Sequence, residues 1–153
     1  MENSKISMID ISGKKEILRT AIAEGSIFLK KDTIEKIKNK TIKKGDVLVN
    51  AQLSAINAIK KTPDLIFLAH PIPISNINVE FDINEKKSFI KTTVTVKSIA
   101  KTGVELEAIL GVQIALLTIW DMTKYLEKNE MGQYPTTKIT DIIVLKKIKE
   151  NTE

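Results

Sequence analysis

The stretch from Lys101 to Lys124, KTGVELEAILGVQIALLTIWDMTK, is the longest apolar-rich segment of the chain and the one that most limits its fold. It opens at Gly103 and is charged at both ends, with Glu105 and Glu107 near the start and Asp121 and Lys124 near the finish. Such a segment reads as a core helix, which other elements must cover. At 153 residues the chain can bury a helix of this kind in a single domain, 1–153, without disulfide or metal staples.

Candidates for the covering elements lie on either side. Lys15 to Leu29 fits a helix or an alternating strand, and Gly25 late in the run favours the strand, with Arg19 pointing away from the core or into a site. Asp32 is placed to cap a short, mostly solvated helix, DTIEKIKNK, with Ile34 and Ile37 three apart. The polar turn from Thr41 to Asp46 feeds a second helix on which Val47, Ala51, Ala55, Ala58 and Ile59 share a face, and Pro63 ends it. Asp64 to His70 is an apolar run closed by His70-Pro71, with Pro73 keeping the backbone extended. NINVEFDI and SFIKTTVTVKSI alternate with period two around Asn84-Glu85-Lys86-Lys87, the clearest hairpin in the chain. TDIIVLKKIK supplies a last strand. Hairpin-linked strands without a regular βαβ rhythm indicate an α+β fold, an antiparallel sheet with helices packed on one face and the other face free for a neighbouring subunit.

Zero cysteines and one histidine exclude thiolate chemistry, disulfides and multi-histidine metal clusters. The N-terminus lacks a signal-peptide run, and the apolar run from Ala108 to Ile119 is too short to span a bilayer, so the expectation is a cytoplasmic chain with no membrane partner. A formal charge of +5 suits an anionic partner as well as it suits a lysine-rich composition of no functional meaning. With only 5% aromatic residues, a small phosphate ester fits better than single-stranded nucleic acid.

No phosphate loop, dinucleotide turn, nucleophile elbow or zinc-protease motif is present. What remains for chemistry is His70 and a set of lysines and carboxylates. A lone histidine is more often a packed residue than a catalytic one, although its pKa makes it useful near neutrality. Lys44 lies just before a helix, where its charge and the positive dipole end would act together on an anion. Asp121 and Lys124, three apart, are neighbours on one helix face, which alone would mean only a surface ion pair. Glu105 and Glu107 diverge by about 200° on a regular helix, so they are not expected to face one site. Glu107 and Asp121 share a face but stand roughly 21 Å apart along the axis. If both ends serve one compact ligand, a second copy of the helix must complete the site.

Four ordered stretches, KKGDV at 43–47, KKTPDLIFLAHPIPI at 60–74, KTGVELEAI at 101–109 and TIWDMTK at 118–124, resemble the molybdenum cofactor biosynthesis protein C family, the cyclic pyranopterin monophosphate synthases. The similarity runs in order from about Met8 to Lys124. It implies a ferredoxin-like α+β subunit in a homohexamer, a trimer of dimers with active sites at the dimer interface. It also implies conversion of 3′,8-cyclo-7,8-dihydro-GTP to cyclic pyranopterin monophosphate with release of pyrophosphate, without a resident cofactor or metal, Mg²⁺ arriving at most with the substrate triphosphate. By the resemblance, the catalytic aspartate and lysine of the family fall on Asp121 and Lys124, and the lysine of the KGDV turn on Lys44. The substrate-contacting Leu-Cys-His stretch falls on Leu68, Ala69 and His70, and the Met-Glu pair on Leu106 and Glu107. Alanine at 69 and leucine at 106 depart from the commoner cysteine and methionine, and GQYPTTKI replaces the glycine-rich tail of bacterial members. Proton transfers in the ring rearrangement suit Asp121, Lys124 and His70, and phosphate stabilisation suits Lys44 and Lys124, with Arg19, Lys60 and Lys101 as secondary contacts. An RNA-binding module on the same scaffold is the competing reading, opposed by the lack of a stacking residue in VTVKSI. An inactive homologue would assemble without turnover.

Overall fold

A computed structural model describes residues 5–152. Its elements run β1 (Ile17–Phe28), α1 (Lys31–Lys38), α2 (Val47–Lys60), α3 (Thr62–Leu65), β2 (Asn76–Asn84), β3 (Phe89–Ala100), α4 (Glu105–Glu127) and β4 (Lys138–Glu150). The four strands form one antiparallel sheet in the order β2-β3-β1-β4. Two interleaved β-α-β units with this order make the ferredoxin-like arrangement expected.

Register decides which face is core. Ala21, Ala23 and Ile27 of β1 stand opposite Val96, Val94 and Ile90 of β3, and all six are buried. Val79 of β2 meets Val94 on the same face. α4 closes that face with Ala108, Val112, Ala115, Leu116 and Ile119, and α2 packs beside it through Val47, Ala51, Ala55 and Ile59. The α2 face is the one its spacing predicts. At Gly25 side chains of α4 and β4 close on the β1 backbone: an added Cβ would stand 2.8 Å from Val112 and 2.9 Å from Ile142. Ile142 gains this position from a bulge in β4, where Asp141 takes a φ of +58° opposite Gly25.

The hairpin turns where its sequence indicates. Asn84 Oδ1 accepts the Lys87 N–H at 2.9 Å, and Ser88 takes a φ of +55° before β3 begins. Val104 precedes the first residue of α4, as expected, but the helix continues to Glu127. Its 23 residues make it the one helix among those described that is long and apolar enough to cross a membrane by length and composition. The run from Ala108 to Ile119 understated it, because Asp121, Lys124 and Tyr125 continue the helix on its wet side. Here half of its most apolar window is buried against the sheet and α2.

Two local expectations are corrected. Asp32 does not cap α1; Lys30 does, and Asp32 lies in the first turn. The capping acceptor comes from far along the chain: the buried Glu127 carboxylate accepts the Lys30 N–H, at 3.1 and 3.2 Å to its two oxygens, and the Thr33 hydroxyl, and it also accepts the Thr137 hydroxyl at 2.7 Å. A carboxylate at a helix N-terminus is favoured by the dipole. Arg19 points neither to solvent nor into a cleft. It is 5% exposed, and Nε donates to the Ala100 carbonyl at 2.8 Å while a terminal nitrogen donates to that of Lys101 at 3.2 Å. Its strand position puts it on the helix-bearing face opposite Ser98, and the turn carrying Lys101 supplies the carbonyls.

Candidate active site

Two clefts open at opposite ends of α4, and between them they hold Lys44, Asp121, Leu68, Ala69, His70, Leu106 and Glu107; Lys124 pairs with Asp121 beside the first, and the secondary phosphate candidates Arg19, Lys60 and Lys101 line neither. The first cleft, about 450 Å³, lies at the C-terminal half of the helix, where Lys44, Asn50, Ser54, Leu117, Thr118 and Asp121 line it. The turn from Ile42 to Asp46 is shaped to deliver Lys44 there. Ile42 is buried, Gly45 takes a φ of +114° that only glycine adopts without strain, and the Asp46 carboxylate accepts the Val49 N–H to start α2. Lys44 Nζ then donates to Asp121 Oδ2 at 3.2 Å and to the Asp121 carbonyl at 3.1 Å. From the other side Lys124 Nζ lies 3.2 Å from Asp121 Oδ1, the i,i+3 contact its spacing predicts. The two ammonium groups, Lys124 first, hold the Asp121 carboxyl below its ordinary pKa. The result is an ionised carboxylate with a lysine on each oxygen, beside an open cleft.

The second cleft, about 350 Å³, wraps the N-terminal end of the same helix. Leu68, Ala69, His70, Leu106 and Glu107 all line it, so the two separate sequence stretches meet in space. His70 Nε2 is 2.7 Å from the Ile9 carbonyl, which fixes the ring against the N-terminal segment. Ala69 is buried, whereas Leu68 and Leu106 are nearly half exposed.

Glu105 and Glu107 were expected to diverge. The helix is regular from Glu105, yet the cleft touches both, because it closes over the end of the helix instead of along one side. Their roles differ. Glu105 folds back over Gly103, where an added Cβ would come within 2.3 Å of Oε1, and pairs with Lys147 of β4 at 2.7 Å. Glu107 is 3% exposed with one carboxylate oxygen buried and unpartnered, and burial pushes its pKa up, with a smaller push from Glu105. Arg19 is committed to backbone carbonyls, Lys101 Nζ donates to the Ser12 carbonyl at 3.2 Å, and Lys60 is exposed on α2.

The residues missed by sequence reasoning are Asn50, Ser54 and Thr118 in the first cleft and Lys14 and Thr102 in the second. A signal existed for two of them: Asn50 and Ser54 are four apart, on the polar side of α2. Each cleft is rimmed by exposed apolar side chains. Leu117 is exposed in the first, and Ile9, Leu68 and Leu106 in the second, while Val49 and Leu53 are exposed on α2, the helix that carries Asn50 and Ser54. Beyond them Leu65, Ile66 and Phe67 are exposed as well, Phe67 at 87%. The apolar run that began at Asp64 therefore lies on the surface from Leu65 to Leu68, and only Ala69 turns inward.

Comparison with known proteins covers almost the whole chain. The sequence model of the MoaC family matches residues 8–150. A Sulfolobus acidocaldarius protein named probable cyclic pyranopterin monophosphate synthase is 55% identical over 142 residues, 93% of this chain and 98% of that one. A Thermococcus onnurineus protein of the same name is 47% identical over 150 residues, 98% of this chain and 95% of its own. A Methanothermobacter thermautotrophicus protein, 50% identical over 94% of this chain and 89% of its own, is named probable cyclic pyranopterin monophosphate synthase accessory protein.

Proposed function

The chain belongs to the MoaC family, and we propose that it is a cyclic pyranopterin monophosphate synthase of molybdenum cofactor biosynthesis. It converts 3′,8-cyclo-7,8-dihydro-GTP to cyclic pyranopterin monophosphate and pyrophosphate, and so acts as a phosphorus–oxygen lyase. The observation that carries this reading is the Asp121 carboxylate held between Lys44 and Lys124 at the mouth of a cleft. The near full-length similarity to relatives named for this activity supports it.

The residues suit the chemistry. Ring rearrangement needs groups that give and take protons; Asp121, held ionised by its two lysines, serves as an acceptor, and Lys124 and His70 serve as its partners in proton exchange. Closing the cyclic phosphate needs a substrate hydroxyl oxygen to bond to the α-phosphorus while the bond from that phosphorus to the α,β-bridging oxygen breaks. The hydroxyl proton passes to a base, and pyrophosphate carries the electron pair away. Lys44 and Lys124 stabilise charge on the phosphoryl oxygens. Leu68, Ala69, His70, Leu106 and Glu107 hold the ring system, and the buried carboxyl of Glu107 suits hydrogen bonding to a polar ring edge. No resident cofactor enters this scheme, and Mg²⁺ arriving with the triphosphate is compatible with it.

Neither cleft has both sets of groups, and about 21 Å of helix separates Glu107 from Asp121. The working site is therefore shared between copies, each cleft meeting its complement on a neighbour in a homohexamer built of dimers. The exposed apolar rims suit burial between subunits. A nucleotide-derived substrate places this work in the cytoplasm, with neither nucleic acid nor membrane as partner.

Purified protein supplied with the cyclised GTP intermediate should yield the cyclic pyranopterin and pyrophosphate, and Asp121→Ala or Lys44→Ala should cut the rate of forming both products by about a hundredfold or more, to a small residual turnover. Full turnover by both variants overturns the site. No turnover by the parent protein in its assembled form leaves an accessory role instead.

A further inference from the structure

The KGDV turn presents two adjacent lysines, Lys43 and Lys44, and only one of them reaches Asp121. Ile42 anchors the turn in the core on one side, and the Gly45 N–H donates to the Ile42 carbonyl at 3.1 Å. Asp46 fixes the far side by starting α2. None of these contacts decides how the peptide at Lys43 is oriented, and that orientation determines which ammonium group reaches Asp121.

Tyr125 supplies the missing constraint. It is four residues beyond Asp121, so on α4 the phenol and the carboxylate are neighbours one turn apart on the same face. Its hydroxyl accepts the Lys43 backbone N–H at 3.2 Å. Its ring lies under the Lys43 ammonium, 5.7 Å from Nζ to the ring centre, within cation–π range. Two adjacent residues of the turn thus meet two adjacent rungs of the helix: Lys43 meets Tyr125, and Lys44 meets Asp121.

We propose that Tyr125 is a positioning residue for Lys44, anchoring the Lys43 peptide through its hydroxyl and holding the Lys43 ammonium on its ring so that Lys44, and not Lys43, engages Asp121 from the turn. The role rests on the catalytic reading of Lys44 and Asp121, but the geometry it describes does not depend on which reaction the site performs. Tyr125 is partly exposed at 39%, so its removal should leave the core intact.

Two variants separate its two contacts: Tyr125→Phe deletes the hydroxyl and keeps the ring, and Tyr125→Ala deletes both. The first readout is the carbon-13 NMR titration of the Asp121 carboxyl in the intact assembly, where Lys44 and Lys124 are the charged groups facing it. Loss of the anchor should move the Asp121 midpoint up toward the ordinary aspartate value, in the same direction as Lys44→Ala and by less, more in Tyr125→Ala than in Tyr125→Phe. The second readout is turnover. Tyr125→Phe should lower kcat by about three- to tenfold, the scale of one hydrogen bond, with KM little changed. In a Lys44→Ala background the further loss should vanish, since the tyrosine acts through that lysine. An Asp121 midpoint unmoved in both variants overturns the proposal, as does an undiminished loss in the Lys44→Ala background. If even the parent protein fails to turn over substrate, the functional reading fails while the titration still decides the role of Tyr125.

Discussion

Lys44 Nζ and Asp121 Oδ2 meet at 3.2 Å across 77 residues of sequence, one presented by a glycine-shaped turn and the other by the wet side of the core helix. Both side chains are about half exposed, so the pair contributes little to stability. Its position beside a cleft points to chemistry. Asp121→Asn should lower kcat/KM by about a hundredfold or more, the scale of a lost acid–base group, and leave the thermal midpoint almost unchanged. A fall in melting temperature matching the fall in activity would assign the pair to structure instead.

The same pair sets an expectation for acid. Lys124 and Lys44 hold the folded-state pKa of Asp121 below its unfolded value, so its contribution to stability is present above the unfolded pKa and lost as pH falls through the folded one. The acid limb of kcat/KM governed by Asp121 should accordingly lie below the ordinary carboxylate range. Replacing Lys44 with alanine should move what activity remains, and its acid limb, to higher pH.

Glu107 has the opposite sign. Burial raises its folded pKa above the reference value of 4.5, so between the unfolded and folded pKa values the native state binds more protons than the unfolded one. Stability from this group is present below that window and declines as pH rises through it. Glu107→Gln should remove the decline: the variant's melting temperature relative to the parent should increase from pH 4 to neutrality, while turnover falls. A constant difference across that range would mean that burial does not raise the carboxyl's pKa in the folded protein.

Glu127 tests the fold apart from the site. Its removal leaves the Thr33 and Thr137 hydroxyls and the Lys30 N–H without their acceptor inside the structure. Glu127→Ala should cost about 3 kcal/mol, measured as a lower urea midpoint at unchanged slope. Glu127→Gln should also destabilise, since the amide nitrogen cannot accept any of these bonds.

Shared catalysis predicts complementation. Lys44→Ala and His70→Ala proteins damage different clefts, so mixing the two after dissociation and reassembly should restore part of the activity that neither has alone. No recovery on mixing, with reassembly verified, would mean that both clefts of one copy serve each reaction.

Much of this was legible in the sequence, for reasons that differ by element. The hairpin, β1 and the buried face of α2 follow from period and from a few turn residues, all of which act over short distances. The Asp121–Lys124 contact follows from helical spacing alone. What escaped depends on partners distant in the chain. Asp32 looked like a cap because the true acceptor, Glu127, belongs to a helix almost a hundred residues later. Alternation gave Arg19 two possible faces, and only the carbonyls of Ala100 and Lys101 choose between them. The exposure of Leu65 to Leu68 has no signature in a run that is as apolar as a core strand.

The length of α4 has a further consequence. A rigid rod with one half of the chemistry at each tip cannot fold back on itself, so on the shared-site arrangement an isolated copy has no complete catalytic centre. Activity then obeys mass action: dilution below the subunit dissociation constant should reduce the rate per chain, and specific activity becomes a measure of assembly. The helix that fills the core would thereby set the smallest particle able to do the reaction.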